Sequence, residues 1–222
     1  MERAALIAID EALERAFEQK RKNFLDDYEL NSKPALILQA WPVEPLSLDI
    51  SNEKLREAMR QGGGSASEDG WWYGFKFGWW PALVFDGLSS KSEHGSAGWA
   101  TEVHVDGHIA AGVWTFQEAN EGTAAPQMGV GDFYSNVFLD FTYLVSEVLG
   151  ALGVSGAVQV TATVHLAEKL ALFGGYGRIS APAPNRRTLR WPIATTTVAD
   201  LPGAGSAMAA QFMRTYGRKA RQ

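Results

Sequence analysis

Cysteine is absent from the 222 residues, which excludes disulfides, thiolate metal ligands and a cysteine nucleophile together. Long apolar runs are missing too, with none approaching the ~18 residues that a membrane span needs. The N-terminus, Met1-Glu-Arg-Ala-Ala-Leu-Ile, carries charge too early for a secretory signal. No Gly-x-Ser-x-Gly elbow occurs, and Gly95-Ser96-Ala97-Gly98 misses that spacing. The glycine-rich stretch 61–70 lacks the lysine and the serine or threonine that a phosphate-binding loop requires, so it reads as a hinge. These absences lead to the expectation of a soluble, cytoplasmic protein with no cofactor and no metal.

The residues present are those of an ordinary globular chain, 46% hydrophobic and 20% charged with a net charge of −5, long enough to bury a core without covalent staples. The charge is unevenly spread. Residues 1–70 carry 9 basic against 14 acidic side chains, residues 71–170 carry 3 against 10, and residues 171–222 carry 8 against 1. A basic C-terminal quarter on an acidic body fits either a polyanion such as nucleic acid or an acidic neighbour within the protein or its assembly.

Apolar residues at three- and four-residue steps, Leu6, Ile9, Leu13, Phe17, Phe24 and Tyr28, predict an amphipathic helix over 2–31. Strict heptads fail around Lys20 and Arg21. About 30 residues would span roughly 45 Å, so residues 1–33 are expected to form an arm or linker, or an amphipathic helix laid on the core rather than a true coiled coil, and residues 34–222 a single α+β domain. Ala35–Trp41 reads as a buried strand, 52–61 as a short helix and 133–151 as a central apolar helix. Residues 158–166 form a strand, 187–198 a last strand interrupted by Pro192, and Ser206 caps a closing helix to about Lys219. The expected architecture is α+β with a largely antiparallel sheet packed by the central helix.

The stretch Gly70–Phe116 dominates the pattern. Asp106-Gly107 between two alternating runs signals a two-residue hairpin turn. That register pairs Val105 with His108, His104 with Ile109 and Trp99 with Trp114, and it sends His104 and His108 to opposite faces. The aromatic run that opens the stretch contains Trp71-Trp72 and Trp79-Trp80. Neighbours in a strand point to opposite faces, so one of each pair should leave the core, and an exposed tryptophan is a typical interface anchor.

Four stretches together resemble the C-terminal accessory portion of bacterial Schlafen AlbA-type ATP-binding proteins. They are Pro34-Ala-Leu-Ile-Leu-Gln-Ala-Trp-Pro-Val-Glu-Pro45, Glu102-Val-His-Val-Asp-Gly-His-Ile109, Leu189-Arg-Trp-Pro-Ile193 and Phe212-Met-Arg-Thr-Tyr-Gly217. The resemblance covers about residues 5–217. It implies that the nucleotide or nucleic-acid chemistry belongs to an AlbA-type domain that would lie before residue 1. It therefore carries no functional residue onto this chain.

Three functional readings follow. The first is a non-enzymatic accessory module acting through protein–protein contacts, as a subunit of a larger bacterial assembly such as a defence system. Its interface would use Trp71, Trp72, Trp79, Trp80, Phe17 and Phe24, against a protein partner or a second copy. The second is a nucleic-acid-binding accessory using Arg186, Arg187, Arg190, Arg214 and Arg218. The third is a small enzyme with Glu102 and His104 as an acid–base pair on one strand face.

Overall fold

The computed structural model describes residues 2–61, 75, 81–94, 97–114, 127–128, 131–173, 179–181 and 184–217. The tryptophans Trp71, Trp72, Trp79 and Trp80, the glycine-rich stretch 62–70 and Arg218 lie outside these residues. The elements run α1 (Glu2–Asp27), β1 (Ala35–Pro42), α2 (Glu53–Gln61), β2 (Ala82–Val84), β3 (Gly87–His94), β4 (Ala97–His104), β5 (Ile109–Trp114), β6 (Gln127–Met128) and α3 (Gly131–Ala151). Then follow β7 (Ala157–His165), β8 (Ala171–Phe173), β9 (Ile179–Ala181), β10 (Thr188–Arg190), β11 (Ala194–Thr197) and α4 (Leu201–Thr215). The main sheet is antiparallel in the order β10-β7-β1-β5-β4-β3-β2, with β11 also paired to β7. A small second sheet has the order β6-β8-β9. The fold is α+β, and among the described residues no helix is long and apolar enough to cross a membrane.

Strand β1 is central, and the alternation of its side chains decides the layers. Leu36, Leu38 and Ala40 face one way with Ile109, Ala111, Val113, Val158, Val160, Ala162 and Val164, onto α3 and α4. Ala35 and Ile37 face the other way with Ala100, Ala110 and Trp114, onto the C-terminal half of α1. Helix α3 is buried at Val137, Phe138, Phe141, Leu144, Val145, Val148 and Leu149, as its apolar circumference predicts. Gly205 lets α4 approach it closely, since a Cβ there would sit 2.5 Å from Thr142 Oγ1.

Helix α1 is not a free arm over its second half. Phe17, Arg21, Phe24 and Leu25 are all buried, as are Tyr28 and Leu30 just beyond its end. Gly112 seats the helix: a Cβ at that position would lie 2.5 Å from the Phe24 ring. Gly112→Ala is therefore expected to cost about 1–3 kcal/mol, the usual penalty of overpacking, measurable by urea denaturation. Phe17 and Phe24, expected at a partner interface, are instead interior residues with 3% and 1% exposure.

Two local expectations are corrected. The hairpin turn has three residues, not two: Val103 pairs with Ile109, His104 N–H donates to His108 O, and Gly107 takes the left-handed φ of 81°. A type I turn completed by an αL glycine is the common three-residue alternative to the Asp-Gly two-residue turn. The one-residue difference moves Trp99 opposite Val113, and it separates Trp99 from Trp114 onto different faces. The closing helix begins at Leu201, with Asp200 as its N-cap and Pro202 in its first turn, while Ser206 lies inside it and donates to Pro202 O. Asn52 itself caps α2 through its side-chain oxygen, accepting from Lys54 N and Leu55 N. The expected proline interruption is present as the gap at 191–193 between β10 and β11, both paired to β7.

Candidate functional site

Residues opposite each other across a ladder share a face, so the corrected register builds a polar belt across the side of the sheet that α1 covers. One row runs Ser89, Glu102, Ala110, Gln39, Thr161. The adjacent row brings His104 beside His108, with ring centroids 5.4 Å apart, and His108 beside Trp41 at 5.2 Å. Ser89, Glu102, His104, His108, Gln39 and Thr161 are all buried. The two histidines that a two-residue turn would separate are neighbours on one face, because the third turn residue shifts the register.

His104 lies between two carboxylates. Its Nδ1 is 2.8 Å from Asp86 Oδ1 and its Nε2 is 3.0 Å from Glu102 Oε2. Burial opposes charge on the ring, but the hydrogen bonds to Glu102 and Asp86 outweigh it and raise the His104 pKa. The imidazolium donates from both nitrogens, so neither is free to take a proton from a substrate. Glu102 and His104 thus meet as predicted for an acid–base pair, but in a closed ion pair with Asp86 as the third member.

His108 is the opposite case. Gln39 Nε2 donates to Phe17 O at 3.1 Å and approaches His108 Nε2 at 3.2 Å, so His108 Nε2 accepts and its proton sits on Nδ1. Burial, then the charges of His104 and Lys20, hold its pKa well below the ordinary range. Asp106 closes the turn by accepting from His108 N at 3.0 Å. Its other oxygen binds Lys20 Nζ of α1 at 3.0 Å, and the same ammonium reaches Asp86 at 4.0 Å and lies 5.6 Å from the Trp41 ring centroid. The Tyr28 hydroxyl is directed at Ser89 and Glu102, with its pKa raised by burial and then by Glu102. Neither that hydroxyl nor Glu102 Oε1 closes a hydrogen bond of normal geometry among the described residues.

Lys20, Asp86, Gln39 and Tyr28 complete this site, and sequence reasoning did not single them out for it. One signal was available. The apolar stripe of α1 breaks at Lys20 and Arg21, where the sheet beneath it is polar. Among the described residues no group of three or more His, Asp and Glu is arranged to hold a metal ion.

The described basic residues of the C-terminal quarter, Arg186, Arg187, Arg190 and Arg214, do not share one surface. Arg190 is on the α1 side and pairs with Glu18 at 2.6 Å. Arg186 and Arg187 are exposed just before β10. Arg214 is exposed on α4, which packs against the other face of the sheet. The one described member of the aromatic run, Phe75, is fully buried, 6.3 Å from the Trp99 ring. The chain matches no model of a known protein family, no curated protein and no solved structure.

Proposed function

We propose that this chain is a non-enzymatic accessory module that works through protein–protein contacts. The observation that carries the reading is at the β2 end of the main sheet, where Phe85 is 93% and Leu83 76% exposed on and beside β2, the last strand in the sheet order among the described residues. Phe85 and Asp86 form the two-residue turn between Val84 and Gly87, with Asp86 at a φ of 57°. That turn is held rigid from behind. Asp86 O accepts from Val105 N at 2.8 Å, and its carboxylate is bound by His104 and approached by Lys20. A large apolar side chain presented on a fixed turn is a preorganised anchor, because little conformational entropy remains to be lost on binding.

The Asp86–His104–Glu102 cluster, buried at His104 and Glu102, then has a positional role rather than an acid–base one. The accessory role implied by the Schlafen AlbA-type resemblance, within a larger bacterial assembly, is compatible with this reading. Its test is the mass of the protein in solution and what it co-purifies with. Leu83→Ser combined with Phe85→Ser is expected to leave folding stability within about 0.5 kcal/mol, as for exposed substitutions generally, while releasing the bound partner or second copy. A wild-type protein that stays monomeric and retains no partner would overturn the proposal.

A further inference from the structure

A second feature lies on the α1 side of the sheet and adjoins the histidine cluster at Gln39 and Phe17. A cleft of about 260 Å³ opens between α1 and strands β7 and β10. Its floor is Gln39, Thr161 and Thr163, and its apolar wall is Phe17, Pro192 and Ile193. On the other face of the same strands every neighbouring buried position is aliphatic, from Leu36 and Leu38 to Val160, Ala162 and Val164. A polar sheet face is normal where water covers it, but here Gln39, Thr161 and Thr163 are 2%, 4% and 2% exposed beneath a helix. Burying such groups is unfavourable unless they have partners; Gln39 has Phe17 O and His108 Nε2, and Thr161 Oγ1 donates to Trp191 O at 2.8 Å.

The rim of the cleft carries Glu14, Glu18, Arg21 and Arg190. Glu18 accepts from Arg21 Nε at 3.0 Å and Nη2 at 2.6 Å, and also from Arg190 Nη2 at 2.6 Å. One carboxylate therefore serves two guanidinium groups. Arg21 is only 8% exposed, yet its Nη1 has no partner among the described residues. Glu14 also lines the cleft, so its lining holds two carboxylates and two guanidinium groups, and the uncommitted donor is on the guanidinium side, at Arg21 Nη1. Guanidinium pairs of this kind match carboxylate and phosphate oxygens in planar geometry. The volume is below the ~300 Å³ at which drug-sized sites begin, which limits the occupant to a small molecule.

We infer that this cleft binds a small organic anion, its carboxylate or phosphate head held by Arg21 and Arg190 and its apolar body against Phe17 and Pro192. Glu18 is a positioning residue that orients both guanidinium groups. The inference is independent of the docking edge at Phe85, which lies at the opposite end of the sheet.

The test is an NMR titration of the full chain with three probes: benzoate, inorganic phosphate and uncharged benzamide. Saturable shifts of the Thr161, Thr163 and Arg190 amides with benzoate or phosphate support the proposal, and whichever of the two binds identifies the head group. Arg190→Ala should weaken that binding about tenfold, as expected for loss of a charge-assisted hydrogen bond. Its melting temperature should change little, because the Arg190 side chain is 51% exposed. Benzamide binding as well as benzoate, affinity unaffected by Arg190→Ala, or no saturable shift with either anion would each overturn it.

Discussion

Glu102→Ala is expected to cost about 3–5 kcal/mol of folding stability at about pH 6, the penalty for removing one partner of a buried ion pair. At about pH 9 the cost should be markedly smaller. The sign follows from His104. Burial alone would depress its pKa, but Glu102 and Asp86 raise it, so the folded state holds the proton more tightly than the unfolded state does. The resulting stabilisation is fully present below the unfolded value of about 6.5 and is lost as pH rises through the folded value. The alanine variant forfeits the Glu102 share of that stabilisation, so the gap between variant and wild type must narrow with pH. Urea denaturation of both proteins at the two pH values measures it. A cost that does not change with pH would mean that the pair is not charged as described.

His108 imposes the opposite slope on the wild-type protein. Burial keeps it neutral with a strongly lowered pKa, so its contribution is present above the unfolded value and is lost as pH falls. The two histidines, 5.4 Å apart, therefore place the stability maximum of the pair close to the unfolded histidine value of about 6.5.

Phe24→Ala is the second large effect, expected at about 3–5 kcal/mol for truncating a fully buried phenylalanine. Its ring is 4.6 Å from Tyr28 and lies over Gly112, so the cavity opens at the junction of α1 and the sheet. The loss should be local. Hydrogen exchange should accelerate first in the C-terminal half of α1 and in β4 and β5, which α1 shields, while α3 and α4 keep their protection. Truncation would also admit water to Glu102 and His104, so the pH dependence described above should flatten in the same variant. Equal acceleration across α3 and α4 would show that α1 cannot be released separately from the rest of the core.

Much of the fold was legible along the chain, since the periodicities of α1, α3, β1 and β7 depend only on which residues are apolar. The site was less legible for a reason that can be named. Asp106-Gly107 is compatible with a two-residue or a three-residue turn, and the two differ by one residue of register. With a side-chain period of two, that single residue decides whether His104 and His108 are neighbours or strangers. Asp86 was hidden in the same way. Within the sequence it is one half of an Asp-Gly break, and only the pairing of β3 with β4 brings it beside His104. Phe17 and Phe24 read as candidates for an outside partner because a helix stripe indicates that a face is buried, not what buries it.

The amino-acid sequence alone determined the absence of thiol chemistry, the α+β order of elements and the apolar stripes that form the core, because these rest on composition and local periodicity. The tertiary structure decided what α1 covers, that Glu102, His104 and Asp86 close on one another, and that Arg21 and Arg190 share Glu18. Those outcomes depend on strand register and on which helix lies over which face. Both are long-range properties, settled by packing between residues as distant in the chain as Glu18 and Arg190.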